Sequence, residues 1–114
     1  MLRASLAAAL AAAFIVFAFP NSLSAQPSFD CRKASSSVEI TICNSRTLAN
    51  LDSQMAALYE AARNASYIDS KELLASQRRW WRQRDSQCGR SRRAVECLED
   101  MYNDRIGELN SMLY

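Results

Sequence analysis

Four cysteines, Cys31, Cys43, Cys88 and Cys97, are the only ones in a chain of 114 residues, and they constrain it more than any other feature. An even count in a small exported domain reads as two disulfides rather than as free thiols. Four cysteines allow three pairings. Cys31–Cys43 and Cys88–Cys97 are expected, because each closes a short local loop. Loops of that size contribute roughly 2.5–3 kcal/mol each in the chain-entropy picture. No C-x-x-C occurs, which argues against thiol exchange and zinc ribbons.

The disulfide reading requires an oxidising compartment, and the N-terminus supplies the route. Met1-Leu2-Arg3 is followed by an apolar run from Ala4 to Phe19, then by Pro20-Asn21-Ser22-Leu23-Ser24-Ala25. One positive charge, an apolar stretch and a small-residue ending match a secretory signal peptide. Residues 1–25 are therefore expected to be cleaved, leaving residues 26–114 as one exported domain, periplasmic or secreted, with no membrane anchor after cleavage.

The rest of the chain predicts helices. Ser36-Ser37-Val38-Glu39 fits a capping box and opens a short helix ending near Cys43. Leu48, Leu51, Met55, Leu58 and Ala62 repeat at helical spacing and place a second helix over about 46–63. Asp69-Ser70-Lys71-Glu72 fits another capping box. It opens a third helix whose seam is Leu73/Leu74, Gln77, Trp80/Trp81, Arg84 and Cys88, with Gly89 expected as the glycine just past its end. A fourth helix carries Val95, Leu98, Met101/Tyr102, Ile106, Leu109 and Leu113. Hairpin signals are absent. The expected fold is all-α: a small bundle of one short and three longer helices, stapled by two disulfides.

Chemistry-bearing residues are few. Histidine is absent, which removes Ser-His-Asp and Cys-His catalysis and histidine-ligated metal. Only Gly89 and Gly107 are glycines, so no phosphate-cradling loop exists. Paired carboxylates can hydrolyse glycosides across a cleft, but three stapled helices leave little room for one. Neither enzyme activity, nor a cofactor, nor a metal is expected.

Charge is balanced overall, at +2, but unevenly placed. Residues 78–93 hold Arg78, Arg79, Arg82, Arg84, Arg90, Arg92 and Arg93 against one acid, Asp85. Trp80 and Trp81 lie among them. Export argues against nucleic acid. An ordinary solvated face carries the same signature, and a true interaction surface would meet an acidic protein cleft or an anionic glycan. Trp80 continues the seam, whereas Trp81, turned about 100° from it, belongs at the edge. Glu96, Glu99, Asp100, Asp104 and Glu108 make an acidic strip on the fourth helix. Its like charges at i,i+4 repel, which suits either a basic partner or plain solvation. Glu96, Glu99, Asp100, Asp104, Arg79, Arg82 and Trp81 are the candidate partner-binding residues. Arg84 and Arg105 fall on apolar seams and need partners, with Glu39 and Asp52 as the candidate acids.

Taken in order, Phe29-Asp30-Cys31, Ala34, Glu39, Ile42-Cys43, Leu48, Leu51-Asp52, Met55 and Tyr59 are followed by Gln77-Arg78, Trp80, Arg84-Asp85 and Cys88. Cys97-Leu98, Tyr102, Arg105 and Leu109 complete the set. This pattern resembles the LprI-type lysozyme inhibitor domain, over about Phe29 to Leu109. The resemblance implies a small exported helical module, and for some members inhibition of c-type (animal) lysozyme. It implies a soluble periplasmic form here, because no lipid-anchor cysteine ends the apolar run. The expected partner is a c-type lysozyme, blocked at its glycan cleft so that peptidoglycan is protected, and the expected state is monomer or weak dimer. The alternative is an envelope interaction module with an endogenous cell-wall partner and no lysozyme inhibition. The family motif transfers no inhibitory residue to a named position.

Overall fold

The computed structural model describes residues 11–13, 15 and 26–114; the expected signal peptide, residues 1–25, lies almost wholly outside them. Among the described residues the chain is all-helical. A single 3-10 turn, Cys31–Lys33, precedes α1 (Ser37–Cys43), α2 (Arg46–Asn64), α3 (Ser70–Cys88) and α4 (Ala94–Leu113). No helix among them is long and apolar enough to cross a membrane.

Local chemistry sets the helix starts. The Ser36 hydroxyl accepts the Glu39 amide, and the Glu39 carboxylate accepts the Ser36 amide, so the first capping box is complete. Ser45 caps α2 through the Leu48 amide. Asp69 caps α3 by accepting from the Lys71 and Glu72 amides. The reciprocal half of that second box is replaced, because Glu72 turns along the helix to Arg79 at 3.1 Å. Gly89 does follow the last residue of α3, as expected, but not in the left-handed conformation of a C′ glycine. It holds φ −63° and ψ −25°, a right-handed conformation, so its freedom at positive φ is unused. Close approach explains it instead: a Cβ would sit 2.5 Å from the Asp85 carbonyl oxygen.

α4 packs along α2 for most of its length, with α3 and α1 against the pair. The core is Val38 and Ile42 of α1, Leu48, Met55 and Ala62 of α2, Leu73, Trp80 and Cys88 of α3, and Leu98, Tyr102 and Leu109 of α4. Each fully buried large side chain contributes about 1.5–3 kcal/mol. The pairs Leu73/Leu74 and Trp80/Trp81 each send their first member inward. Val95, expected on the α4 seam, is 40% exposed.

Both expected disulfides are present, with Cα–Cα distances of 5.8 Å for Cys31–Cys43 and 5.6 Å for Cys88–Cys97. The first ties the N-terminal turn to the end of α1. The second clamps the α3–α4 corner. That corner is fastened to α1 as well, where the Ser37 hydroxyl donates to the Gly89 carbonyl at 2.9 Å.

Candidate functional site

Two polar chains run through the core, and they decide which residues remain for the surface. In the first, Tyr102 of α4 donates its hydroxyl to Asp52 of α2 at 2.7 Å and accepts from Arg84 Nη1 of α3 at 3.0 Å. Asp52 also accepts both the amide and the hydroxyl of Ser28, each at 2.6 Å. Together with a bond from the Ser53 hydroxyl to the Gln26 carbonyl, this fastens the extended N-terminal segment to α2. Arg84 Nε donates to Asp85 at 3.0 Å. The guanidinium also lies 5.7 Å from the Trp80 ring centroid, and Trp80 meets Tyr102 edge-on at 5.0 Å.

In the second chain, Arg105 Nε donates to the Gln77 carbonyl oxygen at 3.0 Å, its Nη2 to the Ser76 hydroxyl at 2.9 Å and its Nη1 to Glu108 at 2.9 Å. Gln77 donates onward to the Met55 sulfur. Every buried side-chain nitrogen and oxygen among the described residues has a partner, as stability requires of polar groups removed from water.

The ion pairs therefore differ from those expected. Arg84 pairs with Asp85, and Arg105 with Glu108. Asp52 meets Arg84 only through the Tyr102 hydroxyl, and Glu39 feels Arg84 only at a distance. Geometry explains the change: a helix neighbour reaches a seam arginine without crossing the bundle. Ser28, Ser76 and Tyr102 carry much of the bonding and were not foreseen as polar partners. Tyr102 did stand at a seam position four residues from Leu98, which placed its ring but not its hydroxyl.

Electrostatics follow this wiring. Burial, with the adjacent Asp52 carboxylate second, pushes the Tyr102 hydroxyl far above the ordinary phenol range. Burial alone would lower Arg84, but the Tyr102 oxygen and Asp85 outweigh it, so its pKa rises and it stays charged. The Ser36 amide and hydroxyl hold the Glu39 carboxyl below its usual value.

Outside the core, two depressions adjoin. The first, about 450 Å³, is lined by Ser28, Phe29, Glu39 and Asp52 on one side and by Trp81, Arg84 and Asp85 on the other. The second, about 560 Å³, is lined by Arg82, Asp85, Ser86 and Arg90. Asp85 belongs to both. Trp81 is 40% exposed at the lip. Two of the expected partner-binding residues, Trp81 and Arg82, thus meet on one surface. Arg79 lines neither depression and holds Glu72. The acidic residues lie elsewhere: Glu96, Asp100 and Asp104 are exposed on α4, and Glu99 is half-buried there. None of these four forms a salt bridge among the described residues.

A family model described as lysozyme inhibitor LprI matches residues 31–109. Proteins named Lipoprotein LprI, from Mycobacterium bovis and Mycobacterium tuberculosis, are 30% identical over 89 residues. That alignment covers 78% of this chain and 44% of theirs, so the chain spans less than half the length of the curated relatives it matches. No solved structure matches it.

Proposed function

This chain belongs to the LprI lysozyme inhibitor family, and from that premise we propose that it is a periplasmic inhibitor of c-type lysozyme, freed from residues 1–25 on export. It acts without catalysis, as a monomer or weak dimer, by covering the enzyme's glycan cleft and so protecting peptidoglycan. The observation that carries this reading is the extent of the family match. It spans the helical domain from the first cysteine into the last turns of α4 and includes both disulfides and both buried arginines.

The division between core and surface supports a role for charge. Arg84, Arg105 and Asp52 hold the bundle together, so contact with a partner falls to exposed side chains. The α4 carboxylates of Glu96, Glu99, Asp100 and Asp104, which form no salt bridge among the described residues, suit a basic enzyme surface, and complementary fields raise the rate of encounter. Trp81, Arg82 and Arg79 offer an aromatic edge with planar cations, which bond carboxylates in a two-pronged fashion.

The test is lysis of a cell-wall suspension by a c-type lysozyme, with and without the oxidised protein, run beside a g-type lysozyme. Inhibition of the c-type enzyme near equimolar ratio is expected. A folded, disulfide-bonded protein that leaves lysis unchanged sinks the proposal.

A further inference from the structure

The two adjoining depressions differ in sign. In the first, Glu39, Asp52 and Asp85 outnumber Arg84. Asp52 is buried with both oxygens bonded to Ser28 and Tyr102, so the acceptors open to a ligand are Glu39 and Asp85. The hollow disfavours a bare anion but suits neutral groups rich in O–H and N–H donors. Trp81 walls it with an exposed aromatic edge. A sugar ring has both properties, hydroxyl donors on its rim and an apolar C–H face that an aromatic ring removes from water.

The second depression is positive. Asp85, the one acid within residues 78–93, bonds Arg84 through Oδ1 while its side chain stays half exposed. It forms no salt bridge with Arg82, three residues before it. Neither Arg82 nor Arg90 has a carboxylate partner among the described residues. Arg82 and Arg90 thus line one hollow with Ser86 and Asp85, two cations against one acid that already bonds Arg84. Arg90 sits on the corner clamped by Cys88–Cys97 and by the Ser37–Gly89 bond, so the cations are held on a rigid support, which limits the ordering cost of binding.

We propose that the two depressions form one glycan-binding surface, for a saccharide that carries a carboxylate beside a neutral ring. The ring lies against Trp81, with its hydroxyls toward Glu39 and Asp85. The carboxylate lies between Arg82 and Arg90. The domain then holds a carboxylated glycan directly, in addition to any action on an enzyme that cuts it.

Soluble probes test this without lysozyme, so the outcome is independent of the inhibition assay. Amide NMR shifts of the oxidised protein are followed during titration with the peptide-free disaccharide of N-acetylglucosamine and N-acetylmuramic acid, whose lactyl carboxylate is free, with tri-N-acetylchitotriose, and with the stem peptide alone. The acidic disaccharide is expected to bind best and to shift amides around Trp81, Arg82 and Arg90. The neutral saccharide should bind more weakly and the peptide least. Arg82→Ala with Arg90→Ala should weaken binding of the acidic disaccharide about tenfold, the loss expected of a charge-assisted contact, while sparing the neutral saccharide. Trp81→Ala should weaken both, and Trp81→Phe should retain both. An unchanged unfolding midpoint checks that each variant is folded. Absence of binding by the acidic disaccharide overturns the proposal. So does stem peptide that binds as tightly as that disaccharide, or Trp81→Ala that binds like the parent protein.

Discussion

The Tyr102 hydroxyl joins α2, α3 and α4 through one oxygen, donating to Asp52 and accepting from Arg84. A phenylalanine there would keep the ring packing but leave two charged groups short of a partner. Tyr102→Phe should therefore destabilise by about 1–3 kcal/mol, read as a lower urea midpoint at constant m-value. The raised Tyr102 pKa adds a second signature. The folded state keeps this proton above the ordinary value of 10.0, where the unfolded chain releases it. Stability from this group is thus complete below about pH 10 and declines as pH rises further. Stability curves measured from pH 8 to pH 11 should fall more steeply for the parent protein than for Tyr102→Phe; parallel curves would contradict this assignment.

At the scale of the elements, α1 depends most on its ends. It spans only Ser37–Cys43, too short to hold as an isolated helix. It is kept by a complete capping box, by the Cys31–Cys43 disulfide and by Val38 and Ile42 in the core. Ser36→Ala should cost about 1 kcal/mol, seen as a lower thermal midpoint. Acid should loosen the same helix start. The Glu39 pKa lies below its ordinary 4.5, so its contribution is complete above that value and disappears as pH falls through the lower, folded value. Thermal midpoints of the parent and of Glu39→Gln should converge as pH drops below about 4.5. A gap unchanged down to pH 2 would show that the carboxylate does not stabilise the cap.

Over the whole molecule, a nearly neutral chain is sorted into a basic α3 with its corner and an acidic α4. For the proposed inhibitor, this arrangement favours capture of a basic enzyme through α4. Glu99→Lys with Asp104→Lys should slow association with c-type lysozyme by about tenfold at low salt, with the difference shrinking as salt screens it. Stopped-flow rates over a salt series measure it; equal rates for both proteins would remove α4 from the encounter.

Much of this architecture is legible in the residues themselves. Helical spacing of Leu48, Met55, Leu98 and Leu109 places the helices, because an apolar stripe has one way to leave water. Short loops between cysteines favour the observed pairing, since local closure loses the least chain entropy. Ser36 and Asp69 mark helix starts through bonds that span only a few residues. The bonds that cross the bundle are of another kind. Tyr102 and Asp52 are 50 residues apart, and no local rule links them; their meeting depends on how far α2 and α4 are offset along their contact. The right-handed Gly89 depends likewise on the corner where α3, α4 and α1 meet. Among the described residues Arg82 and Arg90 line one hollow without a carboxylate partner while Asp85 bonds Arg84: charge along a chain is a matter of composition, but which charges meet is settled by packing.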